Sequence, residues 1–242
     1  MIVFPNERES FLELIPKEGI GCEIGVAECV FSQHLLEKTH PRKLHLIDPW
    51  VYQEREDYQA DLNNVSNDEG EKRYQAACSQ FKHQVDTGQI EIHRKFSYDA
   101  VSQFPDNYFD WIYVDAVHSY EGAKKDLEDY LPKLKDDGIL MGHDYANHIA
   151  AQEMGFGVVE AVDDFCLENN MNFVVLTYDA FPSFVLTKSD NKKVTEYLTL
   201  LTKFNFPEAI EIVDYPKHNK LQMDILDFKT EKRLSYKFLH RE

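Results

Sequence analysis

Four acidic side chains, two imidazoles and one glycine fall where apolar runs end: Glu23 and Gly25 in GCEIGVAEC, Asp48 in LHLIDPW, Asp115 and His118 in YVDAVHSYEG, His143 and Asp144 in GHDY. Carboxylates at neighbouring strand ends, as Asp115 and Asp144 would be, can hold a divalent cation through oxygen ligands. An imidazole titrates near neutrality, so His118 or His143 can take a proton there. Asp48, closing its run, can accept both hydroxyls of a ribose. Glu23 would repel a phosphate and suits a cationic group, such as the amino group of a zwitterion. Gly25 allows a ligand close to the backbone. The turn holds one glycine where a pyrophosphate-cradling GxGxxG needs several. Each signal alone has an ordinary reading: a solvated Glu23, an Asp48-Pro49 turn, Ser119 capping a helix. All of them falling at successive strand ends is harder to explain that way.

The elements that must position these residues alternate. Apolar strands are expected at 19–25, 43–48, 89–93, 109–115 and 138–142, with helical spacing after most of them. Helical stretches are expected at about 30–36, 72–82, 98–104, 119–135 and 158–166. Pro132 should kink or restart the fourth of these, and Asp137-Gly138 should end it. Two further strands, Asn172–Thr177 and Ser183–Thr187, are close enough to pair antiparallel. Strand–helix alternation implies a doubly wound α/β fold. The expected form is a Rossmann-like, mostly parallel seven-stranded sheet with one antiparallel strand and a C-terminal α+β extension. Ligands of such sheets sit at the carboxyl ends of the strands.

Residues 51–72 carry seven acidic and two basic residues and little apolar content, and read as a surface insertion that either forms a lid or is merely an excursion. The domain reading is 1–188 for the ligand-binding domain, including that insertion, and 189–242 for the extension. The extension should hold a helix over 192–204 and a hairpin over 220–239, turning around Lys229–Lys232. From Tyr215 onward it has seven basic and four acidic residues. Its apolar stripes suit packing on its own core or on a second subunit, as a homodimer.

At 242 residues with 43% hydrophobic and 13% aromatic content, the chain can bury a full core. A formal charge of −17 with no basic run argues against nucleic acid as a partner. No apolar run approaches the ~20 residues of a bilayer span, which argues against a membrane partner. No signal-peptide pattern opens the chain, and Cys22, Cys29, Cys78 and Cys166 form no zinc or disulfide spacing. A cytoplasmic protein with free thiols is expected.

Over residues 19–188 the chain resembles the class I S-adenosylmethionine-dependent methyltransferases. Within them it is similar to the small-molecule O-methyltransferases of the macrocin O-methyltransferase type and their cephalosporin-hydroxylase-type relatives. GCEIGVAE and LHLIDPW carry the general likeness, and VDAVHSYEG and GHDY the narrower one. The resemblance implies S-adenosylmethionine as cofactor, with Glu23 and Gly25 facing its methionine part, Asp48 its ribose, and Phe96 and Ser97 its adenine. Asp115, besides lining that site, and Asp144 match two metal carboxylates of the metal-dependent relatives, which implies Mg2+. His118 stands where catechol-type enzymes place a lysine base. Catalysis would then rest on His118, His143 and Asp144, acting on a small-molecule hydroxyl. The chain departs from the pattern twice: Cys29 replaces the glycine of EIGVAEG, and Tyr145 replaces an Asn or Asp metal ligand. A phenol of pKa ~10 is a poor magnesium ligand. A non-catalytic cofactor-binding protein and a nicotinamide-dependent oxidoreductase are the other readings of the same scaffold.

Overall fold

A computed structural model describes residues 1–241 apart from Asn6, Ala60, Lys229 and Thr230. Its centre is β5 (Phe109–Val114), an apolar run buried on both faces, as a central parallel strand must be. Its side chains serve two cores: Phe109, Ile112 and Val114 face one, Trp111 and Tyr113 the other, an irregularity between Phe109 and Trp111 shifting the alternation. Burying such large side chains contributes roughly 1.5–3 kcal/mol each.

Around it stand β1 (Ile2–Phe4), β2 (Ile20–Ile24), β3 (Lys43–Ile47), β4 (Ile90–His93), β6 (Leu134–Gly142), β7 (Met171–Thr177), β8 (Phe184–Lys188) and β9 (Ile210–Glu211). The sheet order is β4-β3-β2-β5-β6-β8-β7-β1-β9. β8 runs antiparallel to both β6 and β7, the expected antiparallel member. The seven expected strands form the continuous part. β1 adds an eighth, parallel to β7, and β9 a ninth, antiparallel to β1. Both are too short to show a period in sequence.

Register decides the site. Ile24 pairs with Ile47 and with Val114, Ile47 with His93, and Val114 with Gly142. The residues that follow, Gly25, Asp48, Asp115 and His143, therefore emerge in one row. Strand order reverses between β2 and β5, and a crevice opens there.

The helices are α1 (Arg8–Phe11), α2 (Val30–Thr39), α3 (Asn67–Gln80), α4 (Lys82–Asp86), α5 (Ser97–Ala100), α6 (Tyr120–Tyr130), α7 (Ile149–Glu153), α8 (Val158–Glu168) and α9 (Lys192–Asn205). Ser119 caps α6, its Oγ accepting from the Gly122 amide at 3.3 Å. Three boundaries differ from expectation. α6 ends at Tyr130 rather than near Lys135, because the chain passes through a 3-10 turn over Leu131–Lys133, with Pro132 in its first positions, straight into β6. α3 starts inside the insertion, at Asn67, because Ser66 caps it through the Glu69 amide. β6 starts at Leu134 rather than Gly138: Leu134 pairs with Phe109, and a register shift lets Asp136 and Asp137 project into solvent.

The C-terminal extension lies on the core of its own chain. β10 (Asn219–Phe228) and β11 (Glu231–His240) pair antiparallel. The expected turn at Lys229 and Thr230 lies outside the described residues. Leu221 and Met223 are buried, and the Tyr236 hydroxyl donates to the Asp179 carbonyl at 2.7 Å. All four cysteines are free, Cys78 half-buried and the others buried. Among the described residues no helix is long and apolar enough to cross a membrane.

Candidate active site

A cleft of about 940 Å3, counting its open mouth, lies over the ends of β2, β3 and β5. Gly25, Asp48, Phe96, Ser97 and Asp115 line it, so five residues singled out in sequence share one wall. Gly25 has φ +88°, and a Cβ there would stand 1.9 Å from the Asp115 carbonyl oxygen. Only glycine fits. The Asp48 carboxylate accepts from the amides of Val26 (3.0 Å), Ala27 (2.9 Å) and Trp50 (2.7 Å), which ties the end of β3 to the first turn. Burial raises its pKa against the pull of those three amides. Phe96 stacks on Tyr98 at 5.2 Å, and Ser97 donates to the buried Asp126 at 2.5 Å. Burial pushes Asp126 up to about 6, with Ser97 opposing.

Glu23 is placed differently from expectation. Its side chain is buried behind the turn, off the cleft wall, and accepts from Ser32 Oγ. Burial pushes its carboxyl up to about 8, so it stays largely protonated at neutral pH and presents no fixed negative charge to a ligand. Cys29 sits at φ +63°, the left-handed region that favours glycine, which accounts for the glycine of the related pattern. Its thiol is buried, and that burial offsets a strain of about 1–2 kcal/mol.

Beyond Asp115 lies a charged cluster. His118 Nε2 is 2.9 Å from Asp144 Oδ2 and 3.7 Å from Asp115 Oδ1, and its Nδ1 is 3.1 Å from Asp61 Oδ2. His143 Nδ1 lies 3.3 Å from Asp144 Oδ2 and 3.8 Å from Asp115 Oδ1. Burial works against charge on His118, but Asp115, Asp144 and Asp61 outweigh it and hold the imidazole well above its ordinary range. His143 is raised in the same way, with burial opposing and Asp115 and Asp144 prevailing. Burial would raise Asp144, but His143 and His118 hold it far below the usual carboxylate range. The Phe156 ring covers His118 at 4.6 Å.

Three partners were not singled out in sequence. Arg8 Nη1 reaches Asp115 Oδ2 and the Tyr113 hydroxyl, each at 3.1 Å, and its guanidinium lies over Phe31. Asp61 and Asp57 come from the insertion, and Asp57 accepts from Ser119 Oγ at 2.7 Å. A polar loop and a short N-terminal helix carry no local sign of such distant contacts.

A magnesium ion fits this cluster poorly. Donor atoms of Asp115, His118 and Asp144 lie within 4.8 Å of one another. His118, however, stands at ion-pair distance from both carboxylates and supplies the positive charge between them, and Arg8 holds the other oxygen of Asp115. Magnesium prefers an octahedron of oxygens. Tyr145, at the third ligand's place in sequence, is fully buried and hydrogen-bonded to Asp163 and Tyr215. Asp115 and Asp144, expected as a cation site, are bridged in this structure by the His118 imidazole.

A single-glycine turn that a Cβ would fill, an acidic residue closing the next strand and aromatic rings beyond it make a cradle for a nucleoside-bearing cofactor without a pyrophosphate, and S-adenosylmethionine fits it. This is the build of a Rossmann-like methyltransferase. The family model for a methyltransferase domain matches residues 19–145, and the chain belongs to that family. It is an S-adenosylmethionine-dependent methyltransferase, and the nicotinamide-dependent reading falls away. No curated protein sequence matches the chain. Among solved structures it is similar to the tRNA methyltransferase TrmK of B. subtilis (10% identity, TM-score 0.50, 77% of this chain and 68% of that one). It is also similar to a protein of Corynebacterium glutamicum (14%, 0.49, 76% and 82%) and to spermidine synthase of Thermotoga maritima (15%, 0.49, 76% and 58%). At such identities the likeness is one of fold.

Proposed function

We propose that the chain methylates a hydroxyl of a small molecule, as do the macrocin O-methyltransferase-type and cephalosporin-hydroxylase-type enzymes that its sequence resembles. The observation that carries this is the His118–Asp144 pair, 2.9 Å apart, beside the cleft that Asp115 lines. S-adenosylmethionine, when bound, supplies a methyl group already activated by its sulfonium. The protein's part is to align the acceptor and to receive its proton. His118 is the proton acceptor, and the carboxylates of Asp144, Asp115 and Asp61 around it stabilise the imidazolium that results. A base must start neutral, so three carboxylates around His118 set its working range on the alkaline side of an ordinary histidine. His143 Nδ1, 3.3 Å from Asp144 Oδ2, helps hold that carboxylate in place beside His118. Residues 51–72, reaching the cluster through Asp61 and the start of α6 through Asp57, act as a lid that excludes water and shapes the acceptor site. A charge of −17 disfavours a nucleic-acid acceptor.

Calorimetric titration with S-adenosylhomocysteine, with and without magnesium, tests the cofactor side: micromolar binding indifferent to magnesium is expected. For the chemistry, His118→Gln and Asp144→Asn should abolish methylation of hydroxyl acceptors while that binding persists. Turnover undiminished in both variants would overturn the assignment. Binding without transfer across a broad acceptor panel would favour a non-catalytic role.

A further inference from the structure

Away from the cleft, a second cluster sits on the outer strands. His45 on β3 pairs in register with Glu91 on β4, and His93 lies two residues further along β4, so all three side chains share one face. His45 is 4% exposed and His93 7%. His45 Nδ1 and His93 Nε2 face each other at 2.9 Å. The Glu91 carboxylate spans the pair: Oε2 is 3.9 Å from His45 Nδ1, and Oε1 is 3.8 Å from His93 Nε2. Donor atoms of the three residues lie within 4.8 Å of one another. The outer nitrogen of His45, Nε2, is 3.2 Å from the Tyr108 hydroxyl. A proton placed there turns the Nδ1 lone pair toward His93, the arrangement that orients metal-binding imidazoles. Phe104 meets both rings edge-on, at 5.1 Å and 5.4 Å, and walls off the inner side.

We propose that His45, Glu91 and His93 bind a zinc-class divalent cation, with a fourth position for water. Two imidazoles and one carboxylate suit zinc by ligand type and leave a tetrahedron one ligand short. Zn–N bonds of about 2.0–2.1 Å at tetrahedral angles hold two nitrogens ~3.3 Å apart, so the rings need to open by only a few tenths of an ångström. Lys43 Nζ, 2.9 Å from Glu91 Oε2, orients the carboxylate and leaves Oε1 to the ion. The ion would clamp the outer strand β4 onto β3 next to Asp48, whose amide donates to the His93 carbonyl at 3.2 Å.

The test is titration of the full chain with Co2+ and then Zn2+, read by visible absorption and by thermal melting. One equivalent of Co2+ should give tetrahedral d–d bands that Zn2+ abolishes, and Zn2+ should raise Tm. Glu91→Gln, at a half-exposed side chain, and His93→Gln should each weaken Co2+ binding by about 100-fold or more with an unchanged circular dichroism spectrum. Asp144→Asn should leave the bands as they are. Absence of bands and of a Tm shift in the wild type would overturn the site. So would bands that survive in Glu91→Gln and His93→Gln and vanish in Asp144→Asn, which would move the metal to the cluster beside the cleft.

Discussion

Gly25 and Asp61 show how single residues shape the site. The backbone at Gly25 runs so close to Asp115 that no side chain has room, and its φ is positive. Gly25→Ala should cost at least about 1–2 kcal/mol of stability. It should also weaken S-adenosylhomocysteine binding tenfold or more by calorimetry, because the first turn must move into the cleft. Asp61 acts through charge. It is one of three carboxylates that keep His118 protonated above its ordinary range. Asp61→Asn removes one of them, lowers the imidazole pKa and enlarges the neutral fraction at any given pH. The rising limb of kcat/KM against pH should therefore move toward acid, by about one unit. A limb that does not move would mean that His118 is not the group being titrated.

At the scale of elements, the extension is joined to the sheet through a buried polar network. Asp163 on α8 meets Tyr145, Tyr215 and Arg241 beneath the hairpin of β10 and β11. Burial pushes Asp163 up to about 7 despite those partners. An aspartate in the unfolded chain loses its proton near pH ~3.9, whereas the folded one keeps it until about 7. The stability this group contributes is complete below the unfolded value, declines as pH rises through that window, and levels off above it. The decline should approach about 1.4 kcal/mol per pH unit. Asp163→Asn lacks the slope. Chemical denaturation of both proteins at pH 5 and pH 7.5 should show the wild type losing ground to the variant at the higher pH. An unchanged difference would place Asp163 outside the titration.

For the molecule as a whole, we propose that charge selects partners. The fold is shared with a tRNA methyltransferase, but a formal −17 spread over this chain repels a phosphate backbone. We expect no retention on immobilised tRNA at low salt and no methyl transfer to it, checked by filter binding and by radiolabelled methyl incorporation. Salt-sensitive binding would show a local basic face outweighing the total.

The sequence determined the seven strands of the continuous part of the sheet, because strands buried on both faces must read as apolar runs, as Phe109–Val114 does, whereas β1 and β9 were too short to read. It also determined the row of site residues, because in such sheets chemistry gathers where those runs stop. Gly25, Asp48 and Asp115 were legible for that reason, and His118 and Asp144 because they follow the same rule. Tertiary structure decided what local pattern cannot carry. It buried Glu23 behind the turn instead of exposing it to the cleft. It brought Arg8 and Asp61 from distant segments to Asp115 and His118, and turned Tyr145 into the core. Each of these depends on which segments meet in space, and long-range charge pairing and burial leave no period in the chain. The protonation of His118, on which the proposed chemistry turns, is therefore a property of the assembled fold.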